Sequence, residues 1–253
     1  MQMCPADAEA GCGLLDIFAD LWEPLPVESG LLLVVRANVV IPPIRLLRWE
    51  KMFRKLHIHV VAAKETGWPQ GPNVTARAAW RTFIELGEYE ALWLMEPDSV
   101  PVKPDFHWRT TSEWFLRPAG RHVLGFWVQS PAADRGHYNG NMIIARDFAG
   151  VCPDFLNAPE LSQHPWDIWH RTALVRHGTP SREIASVHNW GAPGSKKLWT
   201  DPNMIFLPLE LPRHHPLGPL MHPSWLHGVK RTAEAQAAVR ARLLPRAVNP
   251  AMA

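Results

Sequence analysis

Apolar and polar positions fall into a strand–helix rhythm over the first hundred residues. Residues 30–37 (GLLLVVRA) form a dense aliphatic run that predicts a buried first strand. Pro42-Pro43 then opens a helix over about 44–55, because proline is tolerated in a first helical turn. Residues 57–63 (HIHVVAA) predict a second strand, and 64–72 a Gly/Pro loop. Asn73 can cap a helix over about 74–86, with Gly87 stopping it. The run 91–95 (ALWLM) predicts a third strand. Alternation of this kind implies parallel strands joined by right-handed crossovers.

The rest of the chain is less regular. Residues 1–29 are expected to be irregular, since Pro24 and Pro26 break any helix there. Later strands are expected at 122–129, 141–145, 183–187 and 204–207, and helices at 166–177 and 233–244. The Pro/His-rich stretch 208–223 should be loop. No internal repeat or low-complexity tract appears. The expectation is one α/β, Rossmann-like domain with a mostly parallel central sheet flanked by helices.

Composition narrows the picture. The 253 residues are 47% apolar, enough for a large core. The longest apolar run is far too short to span a bilayer. Residues 1–25 carry Asp7, Glu9, Asp16, Asp20 and Glu23 without a basic start, unlike a secretory signal. Cys4, Cys12 and Cys152 show no metal-ligand spacing and fit a reducing compartment, so a cytoplasmic location is expected. Net charge is +2, and the basic residues at 45–55 and 230–246 read as solvated helix faces. A nucleic-acid binder usually carries a stronger basic stripe.

The chemistry centres on Glu96-Pro97-Asp98, which directly follows the third strand. Two carboxylates at the end of a buried strand stand at the rim of a sheet, where α/β enzymes bind ligands. Two hard oxygen ligands there suit a divalent cation, and the cation suits a diphosphate. With 24 acidic residues, chance alone gives about two acid-x-acid triplets. The chain holds three (Asp7/Glu9, Glu88/Glu90 and Glu96/Asp98), and only the last follows a strand-like run.

Other constellations carry two readings each. In His222-Pro-Ser-Trp-Leu-His227-Gly228-Val-Lys230, an imidazole suits a divalent ion and Gly228 permits close backbone approach to a phosphate. Lys230 would meet a diphosphate as a point charge. The same stretch also reads as a His-rich loop in a chain with 13 histidines. Asn139 and Asn141 offer amides to sugar hydroxyls, while Asn139-Gly140 is also a hairpin signal. Asp167, after Pro165-Trp166, is either a helix cap or a carboxylate that deprotonates an acceptor hydroxyl. Asn73 and Arg77 read as helix capping or as contacts to an anionic ligand at a helix N-terminus.

In this order the segments WLMEPDSVPV, HYNGNMIIA, PWD and HGVK resemble a GT-A-type glycosyltransferase. The resemblance covers residues 30–230 in pattern. It implies a nucleotide-binding half at 30–110 and a smaller, irregular acceptor-side half at 111–230, between an N-terminal segment (1–29) and a C-terminal helix and tail (231–253). It implies Mn²⁺ or Mg²⁺ held by Glu96, Asp98 and His227 against the diphosphate of a nucleotide sugar. Donor contacts would come from Arg36, Asn73, Arg77, Asp98, Asn139, Asn141, Gly228 and Lys230, with Asp167 as the catalytic carboxylate. The implied acceptor is a hydroxyl of a glycan or glycoconjugate. Glu at the first motif position, where the family has Asp, lengthens the reach to the metal. Rival readings are sugar transfer to a hydroxylated nucleic-acid base, nucleotidyl transfer, and a non-enzymatic carbohydrate-binding module.

Overall fold

The aliphatic run at residues 30–36 is buried on both faces, and this organises the molecule. Strand β2 (Gly30–Arg36) sends Leu31, Leu33 and Val35 into one core cluster and Leu32 and Val34 into another. The computed structural model describes residues 1–21, 29–62, 67–130, 133–156, 163–186, 205–210, 215–218, 220–229 and 232–247.

The first sheet has the order β1–β2–β3 and is parallel throughout, with β1 at Gln2–Met3 and β3 at Lys55–Val61. Helices α1 (Ala8–Leu21) and α2 (Pro43–Glu50) contribute to one cluster, and α3 (Gln70–Leu86) covers the other. Gly87 ends α3 in the left-handed region, at φ 68°, as its position predicts. Asn73 is not the cap, because the helix begins three residues earlier with Pro69 at the N-cap position.

Residues 1–29 were expected to be irregular. Instead β1 pairs with β2, and α1 packs on the last helix, α8 (Thr232–Ala247). Gln236 Nε2 donates to Ala10 O at 2.8 Å. The prolines lie beyond α1 in the sequence, so they do not prevent it. The basic face at 45–55 is also partly spoken for: Arg45 and Arg48 of α2 pair with Glu9, Asp16 and Asp20 of α1.

The second sheet departs from the mostly parallel expectation. Strand β4 (Ala91–Trp93) does not extend the parallel ladder, but pairs antiparallel with β7 (Ala133–Ala145). Strand β6 (Val123–Ser130) pairs antiparallel with β7 and parallel with β8 (Gly178–Pro180), giving the order β4–β7–β6–β8. Asn139-Gly140 makes no turn. It runs inside β7, and Gly140 is not among the positive-φ glycines that a tight hairpin turn requires. The flanking Tyr138 and Met142 are buried in the core, which favours an extended strand through the pair.

A third, mixed sheet has the order β5–β12–β9, with β5 at Val100–Pro101, β9 at Ile184–Ser186 and β12 at Trp225–His227. Helix α4 (Phe106–Phe115) follows β5, and α5 (Phe148–Val151) and a 3-10 turn (Pro153–Leu156) follow β7. The helix predicted at 166–177 is broken at His170 into α6 (Trp166–Trp169) and α7 (Arg171–His177). Ile205 and Phe206 form a 3-10 turn, not a strand. The stretch 208–223 holds the two-residue strands β10 (Leu209–Glu210) and β11 (Leu220–Met221), which pair antiparallel. No helix among the described residues is long and apolar enough to cross a membrane.

Candidate functional site

Strand pairing brings the acid triplet and the late histidine together. β5 begins two residues after Asp98, and β12 ends on His227. Their antiparallel register sets Leu226 opposite Val100, which carries His227 to the level of the acids. Val229 N then donates to Asp98 O at 2.9 Å and fixes the two segments side by side. Gly228 makes the bend between them at φ 81°, a region glycine enters without strain.

His227 Nε2 lies 2.5 Å from Glu96 Oε2 and 3.3 Å from Asp98 Oδ1. Burial of the imidazole favours its neutral form. The carboxylates of Asp98 and Glu96 outweigh that and hold it up at about 10. Ligand atoms from all three residues lie within 4.8 Å of one another, and His227 is buried beneath the half-buried acids. Two oxygens and an imidazole nitrogen are a donor set that suits Mn²⁺ or Mg²⁺. Donors side by side on one such ion stand about 3 Å apart, from bonds of about 2.1 Å at right angles. The residues therefore fit a cation after small movements, with the imidazolium proton as its competitor.

Asp167 joins this cluster across Gly140. A methyl built on Gly140 would lie 3.1 Å from Glu96 Oε1, 3.5 Å from Trp166 Cζ2 and 3.9 Å from Asp167 Oδ2. Asp167 is buried, and burial first, then the charge of Glu96, pushes its carboxyl up to about 7. Its Oδ1 accepts from Ile168 N at 2.9 Å. Its Oδ2 lies 3.7 Å from His137 Nε2, an imidazole held down at about 4 by burial and by Arg171. Asp167 thus stands in the first turn of α6 with its outer oxygen turned toward the cluster. Asp7 adds a fourth acid. Its carboxyl is raised by burial and then by the charges of Asp98 and Glu96, and Cys4 N donates to its Oδ1 at 2.7 Å.

The remaining predicted residues divide. Asn141 is almost fully buried and committed at both ends: its Nδ2 donates to Ser99 Oγ at 2.7 Å, and Trp93 Nε1 donates to its Oδ1 at 3.2 Å. That ties β7 to the residue after Asp98, so the side chain positions the acid loop. Asn139 Oδ1 accepts from Asn141 N at 3.2 Å. Asn73 and Arg77 line a small cavity with Leu94 and Trp166, next to the cluster. Arg36 is buried at the end of β2, pairing in register with Val61. Lys230 lies outside the described residues. Sequence reasoning passed over Gly140, Trp166 as a wall, His137 and Asp7. The Asn-Gly pair was the one available signal for Gly140, and it pointed to a turn.

No protein-family model matches the chain, and no curated protein matches it. Among solved structures, the chain is similar to a glycosyltransferase involved in the glycosylation of the major capsid of PBCV-1. The superposition covers 93% of each chain with a TM-score of 0.50 at 8% identity. A second match, to a protein from STIV, covers 60% of this chain and 81% of that one at 15% identity, and its TM-score of 0.34 is too low to carry weight. The first match shows a mixed α/β fold shared with a glycosyltransferase over nearly the whole chain.

Proposed function

We propose that the protein is a metal-dependent glycosyltransferase that moves a sugar from a nucleoside-diphosphate sugar to a hydroxyl of a glycan or glycoconjugate. The observation that carries this reading is the convergence of Glu96 and Asp98 with His227, 129 positions further on, in a glycosyltransferase-like fold. Glu96, Asp98 and His227 would hold Mn²⁺ or Mg²⁺. The ion, when bound, would supply positive charge to the departing diphosphate, where it is worth more in the transition state than before it.

The chain's own residues do the rest. Gly228 leaves the backbone beside Asp98 free of a side chain, so a phosphate can approach it. Lys230, two residues on, would add a cation. Asp167 would take the proton of the acceptor hydroxyl, and its elevated affinity for protons suits it to that task near neutral pH. Asn141 holds Ser99, and through it the acid loop, in place.

Thermal melting with each nucleoside diphosphate, with Mn²⁺ and with chelator, tests the reading, because a ligand of the native state raises apparent stability. Metal-dependent stabilisation by one of them is expected, lost in Asp98→Asn. Release of a free nucleoside diphosphate marks sugar transfer, and pyrophosphate would mark nucleotidyl transfer instead. No shift with any nucleoside diphosphate, with or without metal, overturns the proposal.

A further inference from the structure

The margin of the first sheet is an open, apolar strand edge. Among the described residues β3 pairs with β2 alone, so its other side ends the sheet. Ala37 N donates to Val61 O at 3.2 Å, which turns the main chain of Val61 toward β2. Successive residues of a strand address opposite neighbours, so His57 and His59 also bond to β2. The main-chain groups of Leu56, Ile58 and Val60 therefore face outward.

The side chains of the same three residues lie on the α2 face of the sheet. Their partners in register are Leu31, Leu33 and Val35, which share a core cluster with Trp49 of α2. His57 and His59 turn the other way, and His59 Nδ1 lies 3.1 Å from Thr82 Oγ1 of α3. Leu56 packs against the cluster, but Ile58 is 48% and Val60 56% exposed. On the same face, α2 commits Arg45 and Arg48 to the acids of α1 and leaves Ile44 73% and Leu47 56% exposed.

Native proteins guard open edges with lysine, proline, a bulge or an inward-pointing charge. From Leu56 to Val61 the strand has no Lys, Arg, Asp, Glu or Pro, and its register with β2 is unbroken over seven residues. Lys55, at its start, is tied to Glu88. An unguarded edge of this kind invites indiscriminate association unless a specific partner covers it.

We propose that a second copy of the chain covers this edge, with β3 pairing antiparallel to β3 about a twofold axis at Ile58. A twofold contact joins the same patch on both copies, and an axis normal to the sheet sets a strand antiparallel to its own copy. Outward-facing residues must meet outward-facing residues for their main-chain groups to bond. An axis at Ile58 sets Ile58 against itself and Leu56 against Val60, so all three are paired. An axis at His57 would set Val60 against Arg54, and one at His59 would set Leu56 against Ala62, both outside the strand. The four exposed side chains, at roughly 100 Å² each, supply about 400 Å² of apolar surface per copy. That is close to the apolar share, about 57%, of the roughly 800 Å² per partner in a stable complex. The proposal does not draw on the sugar-transfer reading.

Sedimentation equilibrium of the full chain, from about 1 to 100 µM, tests it. The expected mass is twice 28.6 kDa. Ile58→Lys sets like charges together on the axis and should give a monomer, as should Ile58→Glu, with thermal melts showing that each is folded. Mixed, the two variants set opposite charges together and should associate about tenfold more tightly than either does alone. Leu116→Lys, at an exposed apolar residue after α4, is the control and should remain a dimer. A wild-type monomer throughout the range, a dimer that survives in folded Ile58→Lys, or loss of the dimer in the control as well, overturns the proposal. A mixture that associates no better than its components overturns the axis at Ile58.

Discussion

Gly140→Ala separates the stability of the fold from the working of the site. The substitution adds one methyl between two carboxylates, 3.1 Å from Glu96 Oε1 and 3.9 Å from Asp167 Oδ2. The first contact is a few tenths of an ångström tighter than such contacts usually run, so one partner must give way. Glu96 is the one that can, because its side chain keeps 28% of its surface in solvent while Asp167 keeps 11%. Gly140 has no positive φ, so alanine strains no backbone. Relief by swinging Glu96 outward costs about 1 kcal/mol, and the alanine recovers about 0.4–1 kcal/mol by restricting the unfolded chain. The melting temperature without metal should therefore stay within about 3 °C of wild type. Displaced by the methyl, however, Glu96 leaves His227 and the cation set. Misplacing metal-site groups typically costs tenfold to a hundredfold in affinity, and calorimetric titration with Mn²⁺ should show a loss of that size. Gly150→Ala, which meets no atom within 4 Å, is the control and should bind as wild type does. A Gly140→Ala protein that takes up Mn²⁺ with wild-type affinity refutes the placement of the ion between Glu96, Asp98 and His227.

Asp98→Asn should remove Mn²⁺-dependent stabilisation by nucleoside diphosphates while leaving circular dichroism unchanged, since Asp98 is only half-buried. Asp167→Asn should retain nucleoside-diphosphate binding and lose sugar transfer, and equal turnover by the variant would remove Asp167 from the chemistry. The same substitution changes the pH dependence of folding in chelator. A carboxyl raised from 3.8 to about 7 stabilises the fold when protonated, so its contribution is intact below about pH 4 and lost by pH 7. The upper bound on that loss is about 4 kcal/mol. His137, held down at about 4, acts in the opposite sense over pH 4–6.5, so the informative quantity is the wild-type minus variant difference in urea melts. That difference should shrink as pH rises from 4 to 7, and a flat difference would contradict it. Asn141→Ala strands Ser99 and the Trp93 N–H, and should lower stability by about 2–4 kcal/mol in chemical denaturation. A change under 0.5 kcal/mol would contradict the positioning role.

The parts of the fold that were legible are those set by near neighbours in sequence. β2, α2, β3 and α3 follow from an unbroken aliphatic run, a proline start and a glycine stop, all within a few residues. The cavity wall was legible in the same sense, because Asn73, Ala76, Arg77 and Trp80 share a face by helical spacing alone. What failed depended on distant partners. β4 looks like a third parallel strand, yet β7 occupies its edge in antiparallel pairing, and three apolar residues carry no mark of strand direction. The Asn139-Gly140 pair has turn chemistry, but buried neighbours on either side outvote it. The N-terminal segment was judged by its prolines, although α1 ends before them and buries nine residues from Gly11 to Leu21.

The site shows the same division between local and distant information. Glu96 and Asp98 were found because a strand precedes them, whereas among thirteen histidines His227 was marked only by the Gly228 and Lys230 that follow it. Its place is set by the β5–β12 register, confirmed by Val229 N on Asp98 O at 2.9 Å. Side chains alternate between faces along a strand, so a slip of one residue would turn His227 away from both carboxylates and offer Leu226 in its stead. Packing opposes that slip. Trp225 is fully buried against Trp93 and Phe106 at ring distances of 5.1 and 5.2 Å, and Leu226 sits in a different core cluster. The two core faces therefore hold β12 in the one register that puts an imidazole against the acids. The apolar residues beside His227 determine the geometry of the candidate cation site as much as the histidine does.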